Sequence, residues 1–441
     1  LDNPNYIAVI QAGGKGTRMI SLTHDEIPKP MLELNGKPMI QWQIENLAKY
    51  GIKEFVIITG HLGEKIKEYF GNGESLEVSI QYIEEKEPLG SAGALYYLKD
   101  IYPDSGKDYI LIFGDVMFSI EWNRMISFHE NHKGEVTLLA HPNSHPFDSD
   151  LLIIGDNEEV VGIDSKTNTR NYWYKNCVNA GIYIISHDFV YAINEAKKTD
   201  LEKDLLSPLM GKQKVYGYIT PEYVKDVGTP ERFANACKEQ LAGVWDAKCL
   251  AKKQKCIFLD RDGTINKLNG LIYKEEQFEL EQRASSAIKL INESGYLAIV
   301  VTNQPVVARG MCDISDVQNI HKKMESLLGR DGAYLDDIVF CPHHPDKGYP
   351  EENPLYKIPC DCRKPKTGMI NQMVLKYNID LSQSYMIGDT TQDIQTGINA
   401  GLTTILVKTG EAGKDGKYDV KADMDVSDLL EAIKQIIESG E

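Results

Sequence analysis

A short apolar run that ends directly in two carboxylates constrains this chain more than any other stretch. In Cys256–Asn266, read CIFLDRDGTIN, the residues Ile257, Phe258 and Leu259 form a candidate buried parallel strand, and Asp260 and Asp262 follow it one residue apart. Open α/β sheets bind ligands at that end of a strand. In backbone that is extended or just turning, the pair can share one substrate phosphate, one carboxylate attacking phosphorus while the other moves a proton to the leaving oxygen. Gly263 lets the chain turn sharply around them. Taken alone, two acids at a strand end are more often a loop cap than a site. Segments further downstream decide for chemistry.

Leu297–Val301 is a second buried run, and it ends in Thr302-Asn303, whose hydroxyl and amide can donate to the non-reacting oxygens of a phosphate. Cys362-Arg363-Lys364-Pro365-Lys366 supplies a lysine able to offset charge on both nucleophile and phosphoryl group, and Met386-Ile387-Gly388-Asp389 brings another strand-end acid, with Asp393 a helical turn later. These segments, in this order, resemble the haloacid-dehalogenase-like phosphatases. The resemblance implies that Asp260 forms an aspartyl-phosphate, that Asp262 acts as acid and then base, and that Lys364 offsets charge. It also implies a magnesium ion held by Asp260, Asp389 and the main-chain carbonyl of Asp262.

Cys341-Pro342-His343-His344 and Cys360-Asp361-Cys362 supply three thiolates and an imidazole, enough for a closed tetrahedral zinc site. The spacing is similar to the zinc loop of the heptose bisphosphate and histidinol phosphate phosphatases, which implies Cys341, His343, Cys360 and Cys362 as ligands in a structural role. Such an ion would pin the loop that carries Arg363 and Lys364. Ala308-Arg309-Gly310 after Thr302-Asn303-Gln304 resembles the heptose type and implies Arg309 and Arg363 at the substrate. Pro305-Val306-Val307 and Thr390 depart from that pattern and leave the anomer open.

The first half opens on its own strand, Tyr6–Ala12, which runs into Gly13-Gly14-Lys15-Gly16-Thr17-Arg18. Glycines there leave main-chain N–H groups free to approach phosphate oxygens. With Ile27-Pro28-Lys29-Pro30-Met31 and Asn35-Gly36-Lys37-Pro38, the segment resembles the sugar-1-phosphate nucleotidyltransferases, in the branch of the mannose- and heptose-1-phosphate guanylyltransferases. It departs from them at Gln11 and at Ile20–Thr23. In that reaction a sugar phosphate oxygen attacks the α-phosphorus of a nucleoside triphosphate and expels pyrophosphate, so negative charge must be offset on both sides of the reacting atom. The resemblance implies Gly13 and Gly14 at the triphosphate, Arg18 and Lys29 neutralising it, and Asp115 and Asp226 holding a second magnesium. Gly90 would lie against the base, Asn179 and Gly181 against the sugar, and Lys166 against the sugar's phosphate. The polar loop with His141, His145, Asp148 and Asp150 has no metal-ligand spacing, and Tyr172, Trp173 and Tyr174 suit packing or a lid better than base stacking.

Composition sets the outer bounds. At 441 residues the chain suggests about two to three domains. A formal net charge of −17 argues against a nucleic-acid or anionic-membrane surface, so phosphate ligands must be met by local cations. The absence of a membrane-length apolar run, an opening LDNPNY without a signal-peptide layout, and eight mostly scattered cysteines predict a reduced, cytoplasmic protein. Phe233, Cys237, Leu241 and Trp245 have helical spacing, which predicts a short helical connection.

The expected architecture is α/β with two doubly wound domains: a Rossmann-like nucleotidyltransferase over 1–235, a helical linker over 236–253, and a haloacid-dehalogenase-like phosphatase over 254–441. The expected function is a fused enzyme that removes the 7-phosphate of a heptose 1,7-bisphosphate and joins the remaining 1-phosphate to a nucleotide, GMP from GTP by branch resemblance. Mg²⁺ in both domains and structural Zn²⁺ are the expected cofactors. Sugar phosphates and a nucleoside triphosphate are the expected partners, with a homo-oligomer left open. A mannose-1-phosphate guanylyltransferase fused to a histidinol-phosphate-type phosphatase, and a regulatory sugar-nucleotide-binding half, are the rival readings.

Overall fold

The structure is a computed structural model that describes residues 3–14, 16–103, 105–346, 348 and 351–439. It divides into two units: Leu1–His141, Asp150–Ser165 and Val178–Cys249 form the first, and Pro142–Ser149, Lys166–Cys177 and Leu250–Glu441 the second.

In the first unit, Tyr6–Gln11 pairs in parallel with Glu54–Thr59 on one side and Asp108–Phe113 on the other. Its residues Tyr6 to Ile10 are all buried, as an apolar run covered on both faces requires. Helices Met39–Ala48 and Gly63–Phe70 cover one face, packing Ile40, Ile44, Ile66 and Phe70 with Ala8, Ile10, Phe55 and Ile57. The chain builds outward from Tyr6–Gln11 through Glu54–Thr59 to Ser79–Glu84 on one side and then returns to add Asp108–Phe113 on the other, so the C-terminal end of Tyr6–Gln11 is a topological switch point where a ligand crevice opens. The sheet is mixed, since Val178–Ile185 runs antiparallel to Asp108–Phe113. A separate ribbon pairs Val116–Ser119 with Tyr223–Asp226 and sets Val116 opposite Asp226.

The run with helical spacing near residue 240 is not one helix. Helix Pro230–Leu241 starts at Thr229, whose hydroxyl accepts from the Arg232 N–H, and Gly243 interrupts the run with φ +75° before Val244–Ala247. Trp245 stacks on Tyr223 at 5.0 Å and meets Trp42 edge-on, whereas Leu241 is 75% exposed.

The second unit is built on a six-stranded parallel sheet in the order Asp337–Cys341, Tyr296–Asn303, Lys255–Leu259, Tyr385–Gly388, Thr403–Val407, Met424–Val426. Alternate residues of Lys255–Leu259 feed different cores: Ile257 and Leu259 pack with Ala298 and Val300, while Cys256 and Phe258 pack with Leu297 and Ile299. That is the doubly wound arrangement, with apolar cover on both faces. Helix Ile314–Arg330 begins at a capping box between Asp313 and Asp316 and buries Val317, Ile320, Met324 and Leu328.

The two excursions assigned to this unit pack on that helix. Ser326 Oγ is 3.0 Å from the Tyr174 N and 3.1 Å from its O. The Trp173 ring lies under Lys323 and Arg330, and the Asn176 N–H donates to Glu325 Oε1 at 3.3 Å. Burial pushes the Glu325 carboxyl up to about 7, against the pull of Lys175 and the Asn176 N–H. Among the described residues no helix is long and apolar enough to cross a membrane.

Candidate active sites

In the first unit, a cavity of about 540 Å³ opens at the switch point. The glycine loop, Arg18, Lys29, Gly90 and Asp115 line it, together with Glu85 and Gly228. Lys29 Nζ lies 2.6 Å from Asp115 Oδ2, and its side chain is 9% exposed against 32% for the aspartate. The ribbon register carries Asp226 to the same end as Asp115, and the Val227 N–H donates to the Asp115 carbonyl at 2.9 Å. Asp226 Oδ2 accepts from Arg232 at 2.7 Å. A Cβ on Gly228 would stand 2.8 Å from Asp226 Oδ1 and 3.1 Å from Arg18, so glycine leaves room for those groups to converge. Each carboxylate therefore already faces a cation, the charge arrangement a divalent ion could enter. Lys15 lies outside the described residues.

Gly90 adopts φ +78°, and a Cβ there would meet the Thr199 carbonyl at 2.4 Å. Asn179 donates to Tyr183 Oη at 2.7 Å and to Glu202 at 2.9 Å, while its Oδ1 accepts from the Gly181 N–H. Lys166 begins the excursion counted with the second unit. Glu85 was not singled out in the sequence. It follows an ordinary edge strand, Ser79–Glu84, and only the fold brings its carboxylate against Gly13.

In the second unit, Asp260, Thr302 with Asn303, and Asp389 emerge at the C-terminal ends of adjacent parallel strands. Lys364 is 3% exposed, with Nζ 2.8 Å from Asp260 Oδ1 and 2.5 Å from Asp393 Oδ1. Asp260, Asp389 and Asp393 offer carboxylate oxygens within 4.8 Å of one another. Burial and the neighbouring charge of Asp393 raise Asp260 to about 6; burial and the charges of Asp260 and Asp393 raise Asp389 to about 8. Burial pulls Lys364 down, but Asp260 and Asp393 outweigh it and leave the amine above its ordinary value. Asp389 Oδ1 is buried and has no hydrogen-bond partner among the described residues. Three buried carboxylates, two of them on one lysine and the third with an orphaned oxygen, fit a divalent cation.

Asp262 does not share that cluster through its side chain. Its carboxylate accepts from Arg261, Asn266 and Gln304, so the main-chain carbonyl is the part the expected metal role concerns. Gly263 adopts φ +82°, and a Cβ there would stand 2.2 Å from Asp389 Oδ2. Asn303 exchanges two hydrogen bonds with the main chain of Lys364, at 3.0 and 3.2 Å, so its amide clamps the lysine loop. Thr302 Oγ1 accepts from Gln304 at 3.0 Å. Asp393 had a readable signal, the Thr390-x-x-Asp393 capping box, which says nothing of its contact with Lys364.

Cys341, His343, Cys360 and Cys362 come together, His344 staying outside the group. The Sγ atoms stand 3.1 to 3.5 Å apart and His343 Nδ1 is 3.3 Å from Cys362 Sγ. Those separations are near the roughly 3.8 Å edge of a tetrahedron of Zn–S bonds and far beyond a disulfide bond, so the donor set fits zinc. Arg363 reaches from this loop to the His343 carbonyl at 3.1 Å. The His141, His145, Asp148 and Asp150 loop is not among the metal-capable groups of the described residues.

Strand-end acids around a buried lysine in one unit, and a glycine loop with paired cations and acids in the other, define an α/β enzyme of phosphoryl and nucleotidyl transfer. The nucleotidyl transferase family model matches residues 7–243, and the chain belongs to that family. A HAD-hydrolase-like model matches residues 361–432. Over 185 residues the chain is 38% identical to the D-glycero-beta-D-manno-heptose-1,7-bisphosphate 7-phosphatase of Haemophilus ducreyi, across 42% of this chain and 98% of the relative, and its second half belongs to that phosphatase family. The chain is thus a bifunctional nucleotidyltransferase and phosphatase. Among solved structures, HddC from Yersinia pseudotuberculosis complexed with GMP-PN is 26% identical, with a TM-score of 0.46 over 53% of this chain and 99% of that one. The D,D-heptose 1,7-bisphosphate phosphatase from B. bronchiseptica complexed with magnesium and phosphate is 30% identical, with a TM-score of 0.38 over 42% of this chain and 99% of that one.

Proposed function

We propose that the chain performs consecutive steps of heptose activation: hydrolysis of the 7-phosphate of D-glycero-D-manno-heptose 1,7-bisphosphate, then attack of the remaining 1-phosphate on GTP to release pyrophosphate. Residues 1–235 carry the transferase, 236–253 the connection and 254–441 the phosphatase. The observation that carries the reading is the buried Asp260–Lys364–Asp393 constellation, in a half that matches a heptose bisphosphate phosphatase over nearly its whole length.

In the phosphatase, an Asp260 oxygen attacks phosphorus, and the bond to the sugar oxygen breaks as that oxygen takes the proton of Asp262. Asp262 then accepts a proton from the water that attacks the aspartyl-phosphate, so phosphate leaves and Asp260 is restored. Lys364 holds charge on Asp260 and on the moving phosphoryl group. In the transferase, Arg18 and Lys29 draw charge off the triphosphate while the sugar phosphate oxygen attacks the α-phosphorus. Magnesium, held by Asp260, Asp389 and the Asp262 carbonyl in one unit and by Asp115 and Asp226 in the other, would supply Lewis-acid stabilisation of phosphoryl oxygens. Zinc on the cysteine loop is structural, because four protein ligands leave no open position. A nucleotide-rich, reducing cytoplasm suits a chain that consumes triphosphate and shows no disulfide among its described cysteines.

The test supplies heptose 1,7-bisphosphate with each of the four nucleoside triphosphates and identifies products by mass. A guanosine diphosphate heptose is expected. Free heptose 1-phosphate with no nucleotide sugar from any triphosphate would contradict the pairing.

A further inference from the structure

We propose that Arg261 and Gln304, backed by His321, are positioning residues that fix the Asp262 carboxylate for its proton transfers. The inference rests on the reading of Asp262 as the proton carrier of the phosphatase. Arg261 separates the two strand-end acids and is wholly buried. A guanidinium out of water is costly unless its donors are met. Its Nε and Nη2 donate to Asp262 Oδ1 at 3.1 and 2.8 Å, and Nη2 also reaches Asp262 Oδ2 at 2.9 Å and Gln304 Oε1 at 3.1 Å. Nη1 points at His321 Nε2, 3.3 Å away on helix Ile314–Arg330. Burial and the charge of Arg261 hold that imidazole neutral, as an acceptor must be.

Gln304 closes the other side. Its Nε2 donates to Asp262 Oδ2 at 2.8 Å and to Thr302 Oγ1 at 3.0 Å. A carboxylate can only accept and a guanidinium only donate, so the amide has a single workable orientation. Both oxygens of Asp262 are thereby held, with Asn266 adding a third donor to Oδ1 at 3.1 Å. An aspartate on a turning loop would otherwise sample several rotamers, and misplacement of a proton donor weakens transfer steeply. In the first half-reaction Asp262 gives its proton to the sugar oxygen as the P–O bond breaks. In the second it takes one from water.

The distinguishing measurement is leaving-group dependence, read in single turnover as alcohol release from the full chain. The sugar bisphosphate expels an alkoxide that needs a proton, whereas p-nitrophenyl phosphate expels a phenolate that does not. Gln304→Met should slow the sugar ester roughly 10- to 100-fold and the aryl ester by less than about 3-fold, with KM for the sugar ester within about 2-fold. Asp262→Asn should show the same selectivity, more strongly. His321→Leu should reproduce it in part, and His321→Gln, which keeps an acceptor for Arg261, should restore the native pattern. The melting temperature of the second unit, measured on the same preparations, reports its folding. If Gln304→Met and His321→Leu slow both esters equally, or neither, while Asp262→Asn remains selective, the positioning role is overturned. If Asp262→Asn itself is unselective, the underlying phosphatase reading fails instead.

Discussion

Asp393 Oδ1 lies 2.5 Å from the Nζ of Lys364, closer than the Asp260 oxygen on the same amine. Asp393 therefore aims the lysine while a second carboxylate shares its charge. Asp393→Asn keeps the side chain's size but weakens that hold, and phosphatase kcat is expected to fall roughly 100-fold, the scale for losing one preorganised donor. Pyrophosphate release should not change. Phosphatase turnover within twofold of native would remove Asp393 from the site.

Glu325 sets a pH dependence on the second unit. Its folded value of about 7 stands above the ordinary 4.5, chiefly through burial. With the folded value raised, the stabilisation is complete below pH 4.5 and is lost as pH rises through 7, amounting to about 3 kcal/mol. Melting of that unit should decline more steeply between pH 5 and pH 8 in the native chain than in Glu325→Gln. Parallel curves would show that the carboxyl ionises freely.

The phosphatase site was legible because Asp260, Asp389 and Thr302 each end an apolar run, and a strand's end can be read from its own residues. Arg261 was not. Between two acids it reads as surface charge, and only Gln304 and His321, from other elements, make its burial tolerable. The packing of Trp173 and Asn176 on helix Ile314–Arg330 had no local signature either, since nothing in an irregular polar segment names a partner some 150 residues away. Leu241 fitted a helical period but fell just before Gly243, where the helix stops. In the first unit, the glycine loop and Lys29 were readable, whereas Glu85 enters the cavity through sheet order alone.

The cysteine loop gives a metal-removal test. The purified chain should hold about one zinc in this group, and Cys360→Ser or a strong chelator should lower the melting temperature of the second unit and its phosphatase activity together. Transferase activity should persist once magnesium is restored. Zinc-free protein that melts and turns over like native would leave the thiols without a structural ion.

Lys29 and Asp115 form the corresponding pair in the first unit. Lys29→Met should cut pyrophosphate release by roughly 100- to 1000-fold and leave phosphate release from the bisphosphate intact. Equal loss of both activities would point to a folding defect, and loss of neither would place triphosphate neutralisation elsewhere.

The most direct measurement compares native chain and Asp260→Asn, each given GTP with either heptose 1,7-bisphosphate or heptose 1-phosphate, scored for nucleotide sugar. Native protein should make it from both. Asp260→Asn should make none from the bisphosphate and the native amount from the 1-phosphate. Nucleotide sugar formed by Asp260→Asn from the bisphosphate at the native rate would contradict a sequence of reactions that begins at Asp260.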